Sequence, residues 1–375
     1  MNDNDHVPEK KYKILTQIEH VLLRSDMYIG SLEPETVSRI VTEDKEVKEL
    51  NVVCSKAFLK IVDEVISNAQ DYQATDPTVS SITLNVNKEN GWIKVVNNGK
   101  TTVSTKPFES SDKVVAQVVY GVLLSGSNFD DDQKRTWLGR NGVGVKLTNI
   151  FSKEFVVDLC DPETGEEHII VWKDNMKKED KHTVKKYSKK KACTTVLFLP
   201  DYERFKMSLP LSDDVCSLLK GRMQDLAFLT NKKVNVCFND EQIIYSDLKS
   251  YVSMLGGTIM SYENIKGEGG SNLEVCLSVN CPKPHLHSFV NGARCYGTAC
   301  NMVLSKITEP FSLKFPNATR LSQIVKDNIC LIVNATVENP SFTSQTKEVL
   351  STTNSAVVTS ILEFPDGSNT TRSIS

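Results

Sequence analysis

Two side chains on one predicted helix have the types and spacing for phosphoryl chemistry. In the segment DEVISNAQD, residues 63–71, Glu64 and Asn68 stand four residues apart, so both project from the same helix face. A glutamate can orient a water molecule, and an asparagine carbonyl oxygen can bind a hard cation such as Mg²⁺. We expect the opposite face of this helix to be apolar and buried. The pair alone also fits an ordinary surface helix.

Two glycine-containing turns have the composition to approach a nucleotide. The sequence VVNNGK, residues 95–100, ends a predicted strand, and Asn97 there can hydrogen-bond the edge of a base. The sequence LGRNGVGVKL, residues 138–147, opens a predicted helix, whose N-terminal N–H groups favour phosphate. Its spacing is neither that of a Walker P-loop nor that of a convincing dinucleotide-binding fingerprint. Each turn taken alone also fits a plain loop.

A polar loop in the last fifth of the chain carries a third group of candidates. The sequence NPSFTSQTKEV, residues 339–349, follows a predicted strand. Lys347 can reach a terminal phosphate as a point charge, and Gln345 can donate a hydrogen bond beside it. A polar loop that ends in lysine has no functional meaning by itself.

The elements that must position these residues follow from hydrophobic periodicity. A helix is predicted from about Thr16, a second helix covers about 57–69, and the hairpin signal Asn90-Gly91 joins two strands. Strands are predicted at 82–86, 93–96, 154–159, 168–172, 194–199, 234–238, 273–279 and 329–333. The lysine-rich run 177–191 is interpreted as a solvated hairpin tip, with a nuclear-localisation or DNA-contacting patch as the alternative. A domain boundary is expected near 255–260.

Composition excludes several classes of protein. The 375 residues are 39% hydrophobic and 24% charged, which is typical of a globular chain and excludes disorder of the whole chain. No apolar run reaches the ~18–20 residues that span a bilayer, and the N-terminus lacks a signal peptide's apolar core, so an intracellular protein is expected. The net charge of −3 excludes a globally basic nucleic-acid-binding domain. The ten cysteines show no C-x-x-C pair and no zinc-finger spacing, so reduced thiols are expected rather than a metal site.

The order of these motifs resembles a known ATPase superfamily. A Glu/Asn helix, an Asn-Gly strand turn and a glycine loop that opens a helix resemble the Bergerat nucleotide-binding fold. Longer stretches resemble the ATPase and transducer region of eukaryotic-type type IIA DNA topoisomerases. These stretches are QIEHVLLRSDMYIGSLE (17–33), LLSGSNFDDDQKR (123–135), GRNGVGVKLTNIFS (139–152), SFVNGARCYGT (288–298) and ICLIVNATVENPSFTSQTKE (329–348). The last stretch argues against a MutL-like or chaperone branch of the superfamily.

The resemblance implies a role for each candidate residue. Glu64 would be the general base, and Asn68 would hold Mg²⁺. Asn97 would contact the adenine amine, Gln345 and Lys347 would reach the γ-phosphate, and Tyr12 would belong to an arm that crosses to the nucleotide of a partner subunit. The remaining nucleotide contacts would come from Asp71, Ser127, Asn128, Arg140, Asn141, Gly142, Val143, Gly144, Val145 and Lys146.

The resemblance also implies a fold and a function. The expected class is α+β: a Bergerat-type α/β sandwich over residues 1–257, then a transducer-like α/β domain of the ribosomal-protein-S5-like type over 258–375, abbreviated after the loop. The expected function is the ATP-hydrolysing N-gate, in which ATP and Mg²⁺ close a homodimer over a double-stranded DNA segment. The expected location is the nucleus for a cellular enzyme, or host cytoplasm or virion for a viral one.

Departures from the family pattern leave an alternative open. Tyr72 replaces an expected asparagine, and Thr101-Thr102-Val103 replaces Gly-Ile-Pro after the Asn-Gly turn. The sequence shows no DNA-cleavage module, so cleavage would need another region or chain. The alternative is an ATP-responsive clamp or partner subunit that does not hydrolyse ATP.

Overall fold

The computed structural model describes most of the chain. The described residues are 12–44, 46–100, 102–109, 111–125, 142–230, 232–267, 271–281, 285–295, 298–315, 317, 320–344, 346–347 and 349–351. Within them, no helix combines the length and the apolarity that a crossing of the bilayer requires.

The N-terminal part forms a short helix and a hairpin. Helix α1, Gln17–Leu23, begins at the predicted Thr16, which forms a reciprocal capping box with Glu19. A 3₁₀ turn at Ser25–Met27 follows, and then strands β1 (Pro34–Glu43) and β2 (Glu46–Ser55) pair in antiparallel fashion. Periodicity did not predict this hairpin, because the two strands are mixed in polarity.

The larger sheet contains eight described strands in the order β10-β9-β3-β4-β8-β5-β6-β7. They are Ser81–Val86 (β3), Ile93–Gly99 (β4), Ser152–Asp161 (β5), Glu166–Lys173 (β6), Lys178–Lys186 (β7), Ala192–Pro200 (β8), Asn235–Phe238 (β9) and Glu241–Ile243 (β10). Burial alternates along β3, β4 and β8, so one face of the sheet packs against helices. The predicted β3–β4 hairpin is confirmed, and Gly91 in its turn has φ +77°.

Helix α1 contributes Val21 to the main core beside this sheet, and four longer or later helices add to it. They are Lys56–Thr75 (α2), Val115–Gly121 (α3), Gly144–Ile150 (α4) and Asp213–Leu229 (α5). Helix α2 extends six residues beyond the predicted end at residue 69. Helix α5 was not predicted. Ser212 caps its N-terminus by accepting from the Val215 N–H, and acidic residues occupy its first turn.

The lysine-rich run is a strand rather than a hairpin tip. Strand β7 lies at the edge of the larger sheet and is mostly exposed. The prediction of a solvated segment is therefore confirmed, whereas the prediction of a hairpin tip is wrong. Lys178 pairs with Asp180 there at 2.9 Å. Charged edge strands are a common protection against unwanted strand pairing.

A second, smaller sheet follows in the chain. Its described strands are ordered β11-β12-β15-β13-β14. They are Thr258–Lys266 (β11), Asn272–Val279 (β12), His285–Val290 (β13), Ala293–Cys295 (β14) and Cys330–Thr336 (β15), and the nearby helices are Leu248–Met254 (α6), Thr298–Lys314 (α7) and Leu321–Lys326 (α8). Helix α7 packs on one face of this sheet, while α6 and the end of α5 pack on the other.

Candidate functional site

Helix α2 carries the first candidates, and most of its sides are buried. Ser55 caps its N-terminus by accepting from the Phe58 N–H at 3.4 Å. Glu64 is 4% exposed, whereas Asn68 is exposed and Asp71 is half-buried. The predicted apolar face is buried, as Phe58, Ile61 and Val65 show, and Glu64 on the other face is buried as well. The helix is enclosed between the sheet and its neighbouring helices, and Glu64 lies within that enclosed part.

The Glu64 carboxylate meets two neighbours inside the protein. Lys60, one turn earlier, places Nζ 2.6 Å from Glu64 Oε1. Gly144, the first residue of α4, faces the other oxygen so closely that a Cβ there would lie 1.9 Å from Glu64 Oε2. Glycine at 144 therefore allows the backbone of the glycine loop to touch the carboxylate.

The electrostatics keep this buried carboxylate ionised. Burial would raise the pKa of Glu64, but the positive charges of Lys60 and Lys347 outweigh burial, so the pKa lies below its usual value. Burial likewise disfavours the Lys60 ammonium, while Glu64 and Asp63 outweigh it and raise the pKa of Lys60. A deprotonated carboxylate at neutral pH is the form that can accept a proton from water.

Asn97 lies on the helix-facing side of β4. It is 5% exposed and is paired in register with Ile82 on one side and Thr194 on the other. The next residue, Asn98, has a structural task, because its Oδ1 accepts from the N–H groups of Ser80 and Ser81. The two asparagines of the turn thus point to opposite sides of the sheet.

The residue after α2 contacts the Asn-Gly turn at the end of β4. Asp76 follows α2, and its Oδ2 accepts from the Lys100 N–H at 2.8 Å. A Cβ on Gly99 would lie 2.6 Å from the same oxygen. The missing side chain at Gly99 lets the Asn-Gly turn pack on the end of the helix that carries Glu64.

Lys146 on α4 is buried and contacts both Ser125 and Gly142. Its Nζ donates to the Ser125 carbonyl oxygen, to Ser125 Oγ at 2.8 Å and to the Gly142 carbonyl oxygen at 2.5 Å. Burial lowers its pKa to about 8. Val143 is half-buried and Val145 is buried. The predicted contacts Ser127, Asn128, Arg140 and Asn141 lie outside the described residues.

The polar loop of the second sheet places the charge of Lys347 within electrostatic range of α2. It closes on itself, since the Thr343 N–H donates to the Val349 carbonyl and the Ser351 N–H donates to the Ser341 carbonyl. Lys347 has φ +61°, and its charge lowers the pKa of both Glu64 and Asp63. The structure thus brings Lys347 to the Glu64 side of α2, while Gln345 lies outside the described residues.

Tyr12 is placed apart from these residues. Its side chain is 80% exposed, and Ile14 beside it is fully exposed. The segment therefore presents apolar side chains to solvent at the start of the described chain.

Sequence reasoning missed several charged residues at the site. Lys60 stands at i,i+4 from Glu64, a spacing that could have signalled the pair. Arg222 of α5 donates from Nε to Asp63 Oδ1 at 2.5 Å and from Nη2 to Gln70 Oε1 at 3.4 Å. No local signal could have found Arg222, because 159 residues separate it from Asp63.

Comparison with known proteins gives one consistent result. No protein-family model matches the chain. DNA topoisomerase 2 of Meyerozyma guilliermondii is 34% identical over 373 residues, and the match covers 91% of this chain and 26% of that protein. The chain spans about a quarter of the length of the curated relatives it matches.

Solved structures match over nearly their whole length. The ATPase region of Saccharomyces cerevisiae topoisomerase II superposes with a TM-score of 0.85 at 32% identity, covering 93% of this chain and 92% of that one. The ATPase and transducer domains of topoisomerase II from Balamuthia mandrillaris give 0.80 at 31% identity, with coverages of 94% and 91%. The 43K ATPase domain of Thermus thermophilus gyrase B gives 0.62 at 19% identity, with coverages of 92% and 88%, which shows a shared fold.

These matches confirm the predicted fold class, a Bergerat-type sandwich followed by a transducer-like α/β unit. They also confirm the eukaryotic-type branch that the sequence motifs indicated. The chain belongs to the eukaryotic DNA topoisomerase II family and corresponds to the ATPase region of its members.

Proposed function

We propose that this chain binds and hydrolyses ATP with Mg²⁺ as the N-gate region of a type IIA topoisomerase. The observation that carries the proposal is the position of Lys347: a loop of the second sheet brings its charge to the buried Glu64 of α2. Groups from both sheets would thus meet at one phosphate-binding site. The relationship to the topoisomerase II ATPase region supports the same reading.

The residues have separate tasks in this proposal. Glu64 accepts the proton of the attacking water, and Lys60 keeps that carboxylate ionised. Asn97 contacts the adenine edge, and Lys146 with the backbone from Gly142 to Val145 surrounds the phosphates. The contacts assigned to Asp71, Ser127, Asn128, Arg140, Asn141 and Gln345 belong to the same proposal.

The residues present fit a hard cation beside the triphosphate. Asn68 is exposed one helical turn from Glu64 and offers an amide oxygen, a ligand type that suits Mg²⁺. When bound, Mg²⁺ would neutralise charge on the phosphate oxygens. Asn68 holds the ion in this proposal while Glu64 remains available to water.

We further propose that ATP closes a homodimer over a double-stranded DNA segment. Exposed Tyr12 and Ile14 support this step, because a partner subunit would remove their apolar surface from water. The proposed division is residues 1–257 and 258–375, which places β10 and β11 on opposite sides of the boundary. The relatives' names support action on DNA, and their eukaryotic sources favour a nuclear location.

The experiment is ATP turnover measured against protein concentration, with Mg²⁺ and with EDTA. We expect turnover per chain to rise with concentration, because a dimer completes the site, and to vanish with EDTA. Glu64→Gln should reduce turnover at least about 100-fold, as expected for loss of a general base, while ATP affinity changes less than about threefold.

Glu89→Gln is the matched control, since it removes the same charge from an exposed turn. Turnover that persists in Glu64→Gln would contradict the assignment of the base. ATP-dependent dimers without turnover in the wild-type chain would favour the clamp alternative instead.

A further inference from the structure

Three residues that are distant in sequence meet at one end of the second sheet. Cys281, His285 and Cys330 offer ligand atoms that all lie within 4.8 Å of one another, and Cys330 Sγ is 3.4 Å from His285 Nδ1. Cys330 is buried, whereas Cys281 and His285 are half-buried, so the group is reachable from solvent. It lies apart from the proposed ATP site.

Strand register brings this group together. Ser278 on β12 pairs with Cys330 on β15, and Cys330 pairs with His285 on β13. Side chains in register on neighbouring strands share one face of a sheet. Ser278, Cys330 and His285 therefore form a row across β12, β15 and β13. Cys281, two residues after β12, turns back over the row and lies 3.4 Å from Ser278 Oγ.

The backbone at Gly257 approaches the side chains of Cys281 and Ser278 closely. Gly257 lies between α6 and β11, and a Cβ there would be 2.7 Å from both Cys281 Sγ and Ser278 Oγ. The Ser278 hydroxyl also contacts the Cys330 carbonyl oxygen at 3.4 Å. A hydroxyl that borders both cysteines can orient one of their sulfur atoms, as outer groups do in metal sites.

The structure assigns to Cys281, His285 and Cys330 a zinc-binding site, in which two thiolates and one imidazole bind Zn²⁺ and a solvent molecule completes the tetrahedron. Tetrahedral Zn²⁺ with S and N ligands sets ligand atoms about 3.5–3.8 Å apart, close to the observed sulfur–nitrogen distance. Zn²⁺ binding releases the two thiol protons to solvent. With soft ligands and no carboxylate, the site excludes Mg²⁺ and Ca²⁺.

The consequence is a metal cross-link at one end of the second sheet. The site joins the end of β12 with the starts of β13 and β15, and it lies beside Gly257, just before the chain enters β11. Bound Zn²⁺ would hold these ends together and resist separation of the strands. Sequence spacing predicted no metal site, because the third ligand comes from a strand 45 residues after His285.

The test uses the whole reduced chain under anaerobic conditions, with Zn²⁺ or Co²⁺ as the only added ligand. We expect one metal ion per chain, thiolate-to-cobalt charge-transfer absorption with the strong visible bands of tetrahedral Co²⁺, and no competition by excess Mg²⁺. Cys330→Ala and Cys281→Ser should weaken Co²⁺ binding more than about 100-fold, since outer contacts alone account for 10–100-fold. Cys237→Ser, at a half-buried cysteine outside the site, should bind as the wild type does.

A second measurement needs no variant and is independent of folding defects. Zn²⁺ should slow alkylation of Cys281 and Cys330 at least about tenfold in peptide mapping, while Cys216 and Cys237 react equally with and without the metal. Absence of this protection, equal protection at Cys216 and Cys237, or a Cys281–Cys330 disulfide in freshly isolated protein would each overturn the proposal. ATP turnover plays no part in either readout.

Discussion

At the scale of single residues, the main feature of the site is a charged group that is buried and still ionised. Glu64 is enclosed by its own helix, by Gly144 and by Lys60, and burial alone would favour its neutral form. The 2.6 Å contact with Lys60 reverses that preference. The pair also holds the carboxylate in one place, which a general base requires.

Replacing Lys60 should therefore shift the pH dependence of ATP turnover. In Lys60→Met, Glu64 stays buried but loses the positive charge of Lys60, so the pKa of Glu64 rises. The acid limb of the pH profile of ATP turnover then moves to higher pH. Along this acid limb, turnover should fall about tenfold for each unit by which the pH decreases, because only the deprotonated carboxylate accepts the proton. The measurement is kcat from pH 5 to 9 at saturating ATP.

Lys60→Arg is the matched control, because it keeps the positive charge at the same position. Its acid limb should stay near that of the wild type. If Lys60→Met kept the wild-type limb with intact nucleotide binding, Lys60 would have no part in the ionisation of Glu64.

At the scale of elements, the site is built where α2, α4 and a loop of the second sheet approach one another. The loop is fixed at its base by a bridge between Phe342 and Leu350. The Lys347 carbonyl accepts from Cys295 Sγ at 3.3 Å, which ties the loop to β14. Lys347 is thus carried by the second sheet as a unit.

The Lys347 side chain should distinguish ATP from ADP. In Lys347→Asn, ATP affinity should fall roughly 10–100-fold, the value of one charge-assisted contact of about 1.5–3 kcal/mol, while ADP affinity changes less than about threefold. Asparagine tolerates the left-handed backbone at this position, so strain does not enter the comparison. Titration calorimetry with ADP and a non-hydrolysable ATP analogue measures both.

Lys314→Asn provides the control, since this lysine is exposed in the last turn of α7. It should leave both affinities unchanged. Equal losses for ATP and ADP in Lys347→Asn would mean that Lys347 does not contact the γ-phosphate.

At the scale of the whole molecule, an ionic cluster around the buried Asp225 joins β1 and α5 to the second sheet. Asp225 on α5 is 1% exposed, and its carboxylate meets Arg39 of β1 at 2.5 Å, Arg294 of β14 at 3.6 Å and the Tyr251 hydroxyl of α6 at 2.7 Å. Burial would raise the pKa of Asp225, but Arg39 and Arg294 outweigh it and lower the pKa. One carboxylate thus holds groups from both halves of the chain.

Asp225→Asn should destabilise the chain by about 3–5 kcal/mol at pH 7, because it leaves two half-buried guanidinium groups without their buried anion. The folded-state pKa of Asp225 is lowered, so its contribution is present above the unfolded-state pKa of about 3.9 and is lost as pH falls through the folded pKa. The difference between variant and wild type should therefore shrink below about pH 4. Urea unfolding at several pH values measures it.

Asp214→Asn changes an exposed aspartate in the first turn of the same helix. It should cost less than about 1 kcal/mol. If Asp225→Asn cost no more stability than Asp214→Asn, the cluster would not hold β1 and α5 to the second sheet.

The sequence by itself determined the elements whose signals are local. The capping box at Thr16, the apolar repeat of α2 and the Asn90-Gly91 turn each involve residues close in the chain, so their patterns are readable without a fold. The ordered motif stretches also determined the family, and relatives and solved structures confirmed it. The resemblance to this family also indicated Glu64, Gly144 and Lys347 as candidate site residues.

Tertiary structure alone decided which charges meet and which elements lie beside them. The β1–β2 hairpin and α5 were not predicted, because their amphipathic patterns are weak and packing against distant partners stabilises them. Arg222 with Asp63, Arg39 with Asp225, and Cys330 with Cys281 are neighbours only after the chain has folded. The physical reason is that charge pairing, burial and metal coordination depend on separations of a few ångströms in space, which spacing along the chain does not encode.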